Sequence, residues 1–286
     1  MHRTSFADAN SDYEKARYVI CGVPFDGTSC FRRGSRDAPR AMRDNSYNFE
    51  AYNHFFDIDL SDVNIHDAGD VDVSDGIDAT LDMISIHARR FVADCKIPVM
   101  LGGEHSLTLP FAEACKKKYD DLGFVVLDAH MDMRPEYEGE INSHACISRH
   151  IFETVTQKYA SVGIRSGTRQ EYEYTRENRL KVFSAEDVIS NGIEKVIHEI
   201  RDIMQGPIYL SIDMDAIDPA YAPALGTPEP YGLTPRDVRY VISCLAPDIV
   251  GFDLVEIAPA YDSGGTALLG AKLVRDFIAA HAKAVS

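Results

Sequence analysis

The sequence predicts an α/β fold with a largely parallel sheet covered by helices on both faces, and two regularities carry that expectation. Short apolar runs bounded by turn residues recur along the chain, and helical patterns lie between them. In order, RYVICGV (17–23), IPVMLGG (97–103), LGFVVLDAH (122–130), YASVGIR (159–165), PIYLSIDMD (207–215) and DIVGFDLVE (248–256) read as buried strands, since unbroken apolar runs mark strands covered on both faces. The clearest helix is GIEKVIHEIRDIMQ, in which Ile193, Val196, Ile197, Ile200, Ile203 and Met204 share one face. Ser184 ahead of Asp187, and Thr234 ahead of Pro235 and Asp237, mark two further helix starts. Residues 26–57 and 131–145 lack strong apolar patterning and read as loops. Nothing resembles a linker or an internal repeat, so residues 1–286 are expected to form a single domain. In open sheets of this class, ligands bind beyond the carboxyl ends of the strands.

With 45% hydrophobic residues the chain can bury a large core, while its formal charge of −16 argues against nucleic acid or an anionic membrane as partner. That field suits a small cationic substrate, although a solvated acidic surface explains most of it. The first residues hold no apolar leader, and no run approaches the roughly 18 apolar residues of a membrane span. A soluble, cytoplasmic protein is expected. The six cysteines form no CxxC pair and read mainly as buried free thiols.

The chemistry sits where the strands end. In VVLDAHMDM (125–133), Asp128, His130 and Asp132 occupy alternate positions behind an apolar run, so an extended chain projects all three from one face. The 97–103 strand runs into Glu104 and His105, the 207–212 strand into Asp213 and Asp215, and the 248–254 strand into Glu256. Taken singly, each has an ordinary explanation: a histidine after a strand caps a turn, and Asp218-Pro219 starts one. Four strand ends finishing in such groups do not, and clustered carboxylates without a cation repel one another. Two imidazoles and four carboxylates exceed the four ligands of one tetrahedral zinc, so two metals sharing carboxylates fit better. The oxygen-rich set favours Mn²⁺, with Zn, Co or Ni still open. Two such ions acidify a water between them, and the implied reaction is hydrolysis.

GGEHS (102–106), DAHMD (128–132), SIDMDAIDP (211–219) and FDLVEIAP (252–259) resemble the ureohydrolase family of arginases and agmatinases. The resemblance extends to GSRDAPRAMRDNS (34–46), DAGDV (67–71), NSHAC (142–146) and GTPEPYGLTPRD (226–237), nearly the whole chain. It implies a three-layer α/β/α sandwich around a mostly parallel, arginase-like sheet and two Mn²⁺ per chain. His105, Asp128, Asp132 and Asp213 would hold one ion, and Asp128, His130, Asp213 and Asp215 the other. Asp132 would orient the metal hydroxide that attacks the substrate, Glu256 would pair with the guanidinium, and His144 would handle the proton. Two departures stand out. Glu104 replaces the family's common Asp, for which adjusted packing is expected rather than lost metal, and Tyr231 stands where glycine is usual.

The loop MRPEYEGEINS (133–143) lacks the hydroxyl-rich pattern of arginases. Its acceptors Glu136, Glu138 and Glu140 disfavour a carboxylate and favour an ammonium tail, with Glu136 the expected contact beside Glu256 and His144. Agmatine, cleaved to putrescine and urea, is therefore the expected substrate. Aminopropylagmatine, arginine or guanidinobutyrate are the alternatives, followed by a non-catalytic metal-binding relative. Family analogy implies a homo-oligomer, trimer or hexamer.

Overall fold

The computed structural model describes residues 5–73 and 76–286. Among the described residues ten strands run in chain order: β1 (Tyr18–Gly22), β2 (Tyr52–Asn53), β3 (Ile58–Asp59), β4 (Ile65–Asp70), β5 (Ile97–Leu101), β6 (Gly123–Leu127), β7 (Tyr159–Ile164), β8 (Lys181–Ser184), β9 (Ile208–Asp213) and β10 (Ile249–Val255). Eight of them form one sheet in the order β4-β1-β5-β10-β9-β6-β7-β8, with β2 and β3 a separate antiparallel pair. Every pairing within the large sheet is parallel. Helices cover both of its faces, as the sequence predicts.

Alternation along the strands splits the core in two. Tyr18 and Ile20 belong to one buried cluster with Val238, Val241 and Phe277, while Val19 and Cys21 belong to the other with Ile84, Ala88 and Phe111. Each such side chain taken from water stabilises the fold by about 1.5–3 kcal/mol, so the central strands form a rigid floor for whatever lies at their ends.

All six predicted strands are present. The two edge strands of the sheet escaped the sequence reading for a physical reason. β4, IHDAGD, is only half covered and alternates polar residues, and β8 has four residues, so neither shows a buried apolar run. Residues 26–57 are more ordered than expected: they contain the helix Ala38–Ser46 and strand β2, which pairs with β3 just beyond them. The predicted starts hold, with Ser184 and Asp187, and Thr234 and Asp237, each forming a reciprocal cap. Of the apolar face around residues 193–204, Ile203 is exposed because the helix ends there. No helix among the described residues is long and apolar enough to cross a membrane.

The motifs at 34–46 and 67–71 meet each other rather than the site. Buried Arg43 donates through Nε and Nη2 to the two carboxylate oxygens of Asp67, at 2.8 and 2.9 Å, and also pairs with Asp70. This ties the helix Ala38–Ser46 to β4. Arg43→Ala leaves the buried Asp67 carboxylate unpaired and is expected to cost about 3–5 kcal/mol in denaturant unfolding. A loss below about 1 kcal/mol, the worth of a surface pair, would contradict that role.

Candidate metal centre and its cavity

Four adjacent strands, β5, β10, β9 and β6, bring their carboxyl ends together, and their registers place Leu101 beside Leu254, Val255 beside Asp213, and Leu127 beside Ile212. The turn after β5 depends on Gly103. A Cβ there would sit 1.9 Å from the Phe25 carbonyl oxygen. That close approach lets the Glu104 amide donate to Phe25 O and the Glu256 amide to Gly103 O, fixing His105 and Glu256 side by side. Glu256 Oε1 in turn accepts the His105 amide at 2.8 Å. Asp132 and Glu256 both adopt left-handed backbone angles, φ 50° and 66°, a strain that surrounding structure must support and that clusters at functional sites.

Three carboxylates surround one imidazole nitrogen. His105 Nδ1 lies 3.2 Å from Asp213 Oδ2, 3.3 Å from Asp128 Oδ2 and 3.5 Å from Asp132 Oδ2. On the other side, His130 Nδ1 lies 2.8 Å from Asp215 Oδ2 and 3.7 Å from Asp128 Oδ1. His105, Asp128 and Asp132 form one potential metal-holding group and Asp128, His130 and Asp215 a second, with Asp128 common to both. Asp213 stands between the two groups: its Oδ2 lies against His105 of the first, and its Oδ1 accepts the amide of Asp215 in the second.

The hydrogen bonds behind His105 settle what its Nδ1 presents. Ser211 donates its hydroxyl to Asp253 at 2.6 Å, so the Ser211 oxygen is left to accept from His105 Nε2 at 3.1 Å. A neutral ring then offers its Nδ1 lone pair to a cation; without one, burial disfavours a charged ring, yet the Asp128, Asp132 and Asp213 carboxylates that face Nδ1 raise His105 well above its ordinary range. Both His105 Nδ1 and Asp128 Oδ2 are buried without a hydrogen-bond partner, and buried groups of this kind need one. A cation supplies it. Ligand atoms about 2.1 Å from one small divalent ion and at right or tetrahedral angles lie roughly 3.0–3.4 Å apart, which matches the spacing around His105.

Electrostatics agrees. Burial, then the charges of Asp132 and Asp215, pushes Asp128 up to about 7. Burial and its neighbours Asp215 and Asp128 raise Asp213 well above the carboxylate range. Burial opposes a charged His130, yet Asp215 and Asp128 push it up to about 11. The same histidine outweighs burial in holding Asp215 below the usual carboxylate range. Such mutual perturbation marks an excess of negative charge in a dry site, which a divalent cation neutralises.

A cavity of about 310 Å³ opens over this cluster, with Asp132, Asp213, Asp215, Glu256 and His144 in its wall. His144 joins through the NSHAC segment. Its Nδ1 lies 3.1 Å from Thr28 Oγ1, whose hydroxyl and amide are both held by Glu104. The Glu at 104 therefore reaches the 26–30 segment and positions Thr28 beside His144. Burial works against a charged His144, but Cys30 and the carboxylates of Glu256, Asp132 and Glu104 push it up to about 9. At neutral pH it holds its proton.

Glu136 corrects an expectation: it is exposed and lies in a neighbouring surface pocket with Arg149 and Glu173, outside this cavity. The loop turns back at Tyr137–Glu140, with Glu138 in a left-handed conformation, and Glu140 caps its own turn through the Asn142 amide. Buried Glu171 faces the cavity instead, beside Arg134 and Thr168. The cysteines are likewise mixed: all are free, but Cys30 and Cys95 are exposed and Cys244 is half-buried. Tyr231 keeps the left-handed turn, φ 68°, that glycine would otherwise supply.

Several contributors gave no reading at the sequence level. Thr227 donates to Asp215 Oδ2 at 3.3 Å. Arg165, at the end of β7, donates to the carbonyls of Asp215 and Pro230 and pins the 226–232 loop; its place at a strand end was the available signal. Asp253 also accepts from Tyr209, completing a buried relay behind His105. Asp253→Asn disturbs the orientation of that imidazole and is expected to weaken metal affinity about 10–100-fold without unfolding the protein. Unchanged metal titration would contradict the relay.

Fold and site together define an α/β metallohydrolase with a carboxylate–imidazole centre at the carboxyl edge of a parallel sheet. Residues 16–280 match the arginase family, and the chain belongs to it. It is 36% identical over 279 residues to an agmatinase of Halalkalibacterium halodurans, covering 96% of this chain and 95% of the relative. It is 38% identical to the N(1)-aminopropylagmatine ureohydrolase of Thermococcus kodakarensis, covering 94% and 92%. The crystal structure of the agmatine ureohydrolase of Thermoplasma volcanium superposes with a TM-score of 0.94 at 42% identity, over 99% of this chain and 96% of the other.

Proposed function

We propose that the protein hydrolyses agmatine to putrescine and urea at a centre of two Mn²⁺ ions. The observation that carries this is the pair of imidazole–carboxylate groups sharing Asp128, set in the wall of one cavity with Glu256 and His144. His105, Asp128, Asp132 and Asp213 would hold one ion, and Asp128, His130, Asp213 and Asp215 the other. The oxygen-rich donor set supports manganese. When bound, the ions supply a water acidified toward neutrality, the nucleophile for a guanidinium carbon.

The chain supplies the rest. Glu256 has one oxygen tied to the His105 amide, so its second can pair with guanidinium nitrogens and hold the carbon in place. Asp132 orients the attacking water. His144, protonated at neutral pH, donates to the departing amine nitrogen as the C–N bond breaks. Among the described wall residues Arg134 is the only Lys or Arg, and its guanidinium is engaged over the Tyr137 ring at 4.7 Å and near Glu171. A carboxylate-bearing substrate finds no unengaged Lys or Arg among these wall residues, which supports an amine tail over arginine or guanidinobutyrate.

Aminopropylagmatine is the second reading, favoured by the Thermococcus kodakarensis relative. A panel of the four guanidines with Mn²⁺-loaded protein separates them: urea from agmatine at a kcat/KM at least about 100-fold above arginine is expected, a gap of roughly 3 kcal/mol in transition-state binding. Comparable turnover of arginine would overturn the choice. A cytoplasmic homo-oligomer, trimer or hexamer, acting on this small cation without nucleic acid or membrane completes the proposal. Light scattering that shows a monomer at micromolar concentration would refute the assembly.

A further inference from the structure

One nucleophile in the cavity has no task in that reaction. Cys30 is exposed, lines the cavity, and places Sγ 3.6 Å from His144 Nε2. The opposite ring nitrogen is held by Thr28, itself clamped by Glu104, so the imidazole is fixed with one nitrogen turned toward the thiol. The hydrogen bond to His144 outweighs burial and lowers the Cys30 thiol below its ordinary range. The other thiols differ. Burial pushes Cys115 and Cys146 up to about 12, Cys21 is buried, Cys244 is half-buried, and exposed Cys95 has its Sγ against the Ala93 carbonyl. Thiolate character and access decide which cysteine reacts.

We propose that Cys30 is a modification site for small cationic disulfides, and that the mixed disulfide formed there fills the cavity and stops turnover. The preference for a cation comes from Asp132, Glu171 and Glu256 in the same wall and from the formal charge of −16. The exchange balances within the site. Protonated His144 holds the Cys30 thiolate through Nε2–H, Sγ attacks one sulfur of the disulfide, and the S–S bond of the reagent breaks. Its departing half takes the proton from His144 and leaves as a thiol; Cys30 is oxidised and that half is reduced. Excess thiol reverses the reaction.

The test treats Mn²⁺-loaded protein with cystamine, and in parallel with the neutral 2-hydroxyethyl disulfide. Adducts are mapped by mass spectrometry, and urea release is compared with the same protein untreated. Expected is one cysteamine adduct per chain on Cys30, forming at least about tenfold faster than on Cys95 and faster than the neutral adduct. Urea release is lost in step and restored by dithiothreitol. Cys30→Ser, measured against its own untreated sample, keeps its activity through treatment, and His144→Asn slows the Cys30 adduct. Equal rates at Cys30 and Cys95, or a full Cys30 adduct with undiminished urea release, would overturn the proposal. Adduct rates are read without substrate, so they stand even if agmatine proves to be the wrong guanidine.

Discussion

Asp128→Asn is expected to lose bound metal and urea release together, with activity falling by more than the 10–100-fold that loss of an outer hydrogen-bond partner typically costs a metal site. Asp128 is fully buried at the end of β6 and is the one residue common to both candidate groups. Its Oδ2 stands 3.3 Å from His105 Nδ1 without a hydrogen bond, and its Oδ1 faces His130. An amide keeps the shape but removes the charge both sides share. Because burial and its neighbours already push the acid up to about 7, the neutral side chain should not lower the stability of the metal-free protein. Metal analysis and thermal unfolding in chelator check both halves. Full metal and full activity in the variant would remove Asp128 from the centre.

His144→Asn should behave in the opposite way, keeping its metal while turnover falls about 10²–10⁴-fold, the usual worth of a positioned proton donor. The hydrogen bonds of His144 run to Thr28, Ser143 and Cys30, away from the metal-binding carboxylates. Its burial and neighbours hold it protonated at neutral pH, where a donor to the leaving amine is useful. Loss of metal in this variant would show that His144 belongs to the ligand set instead.

The contrast between these two residues reflects what a chain reveals before it folds. Asp128, His130, Asp132, Asp213 and Asp215 were legible because alternating polar groups directly behind apolar runs can only sit at strand ends. His144 and Glu256 were assigned through resemblance, and the fold brings both to the same cavity. Glu136 was misplaced because the 133–143 loop has no periodicity to say which way a side chain turns. Asp253 and Ser211 lie inside strands where a polar residue announces no partner, and their meeting with His105 depends on the β5-β10-β9 order. The Cys30–His144 contact joins residues 114 positions apart, and nothing local in either segment signals it. Edge strands β4 and β8 failed the apolar-run test because one side of each has no strand to cover it.

The most direct measurement is urea release from agmatine plotted against bound Mn²⁺ per chain as the ion is titrated into metal-stripped protein. A centre built on a shared Asp128 predicts that turnover rises as occupancy approaches two ions per chain and then levels off. Full turnover with a single ion bound, or with none, would contradict the two-ion centre.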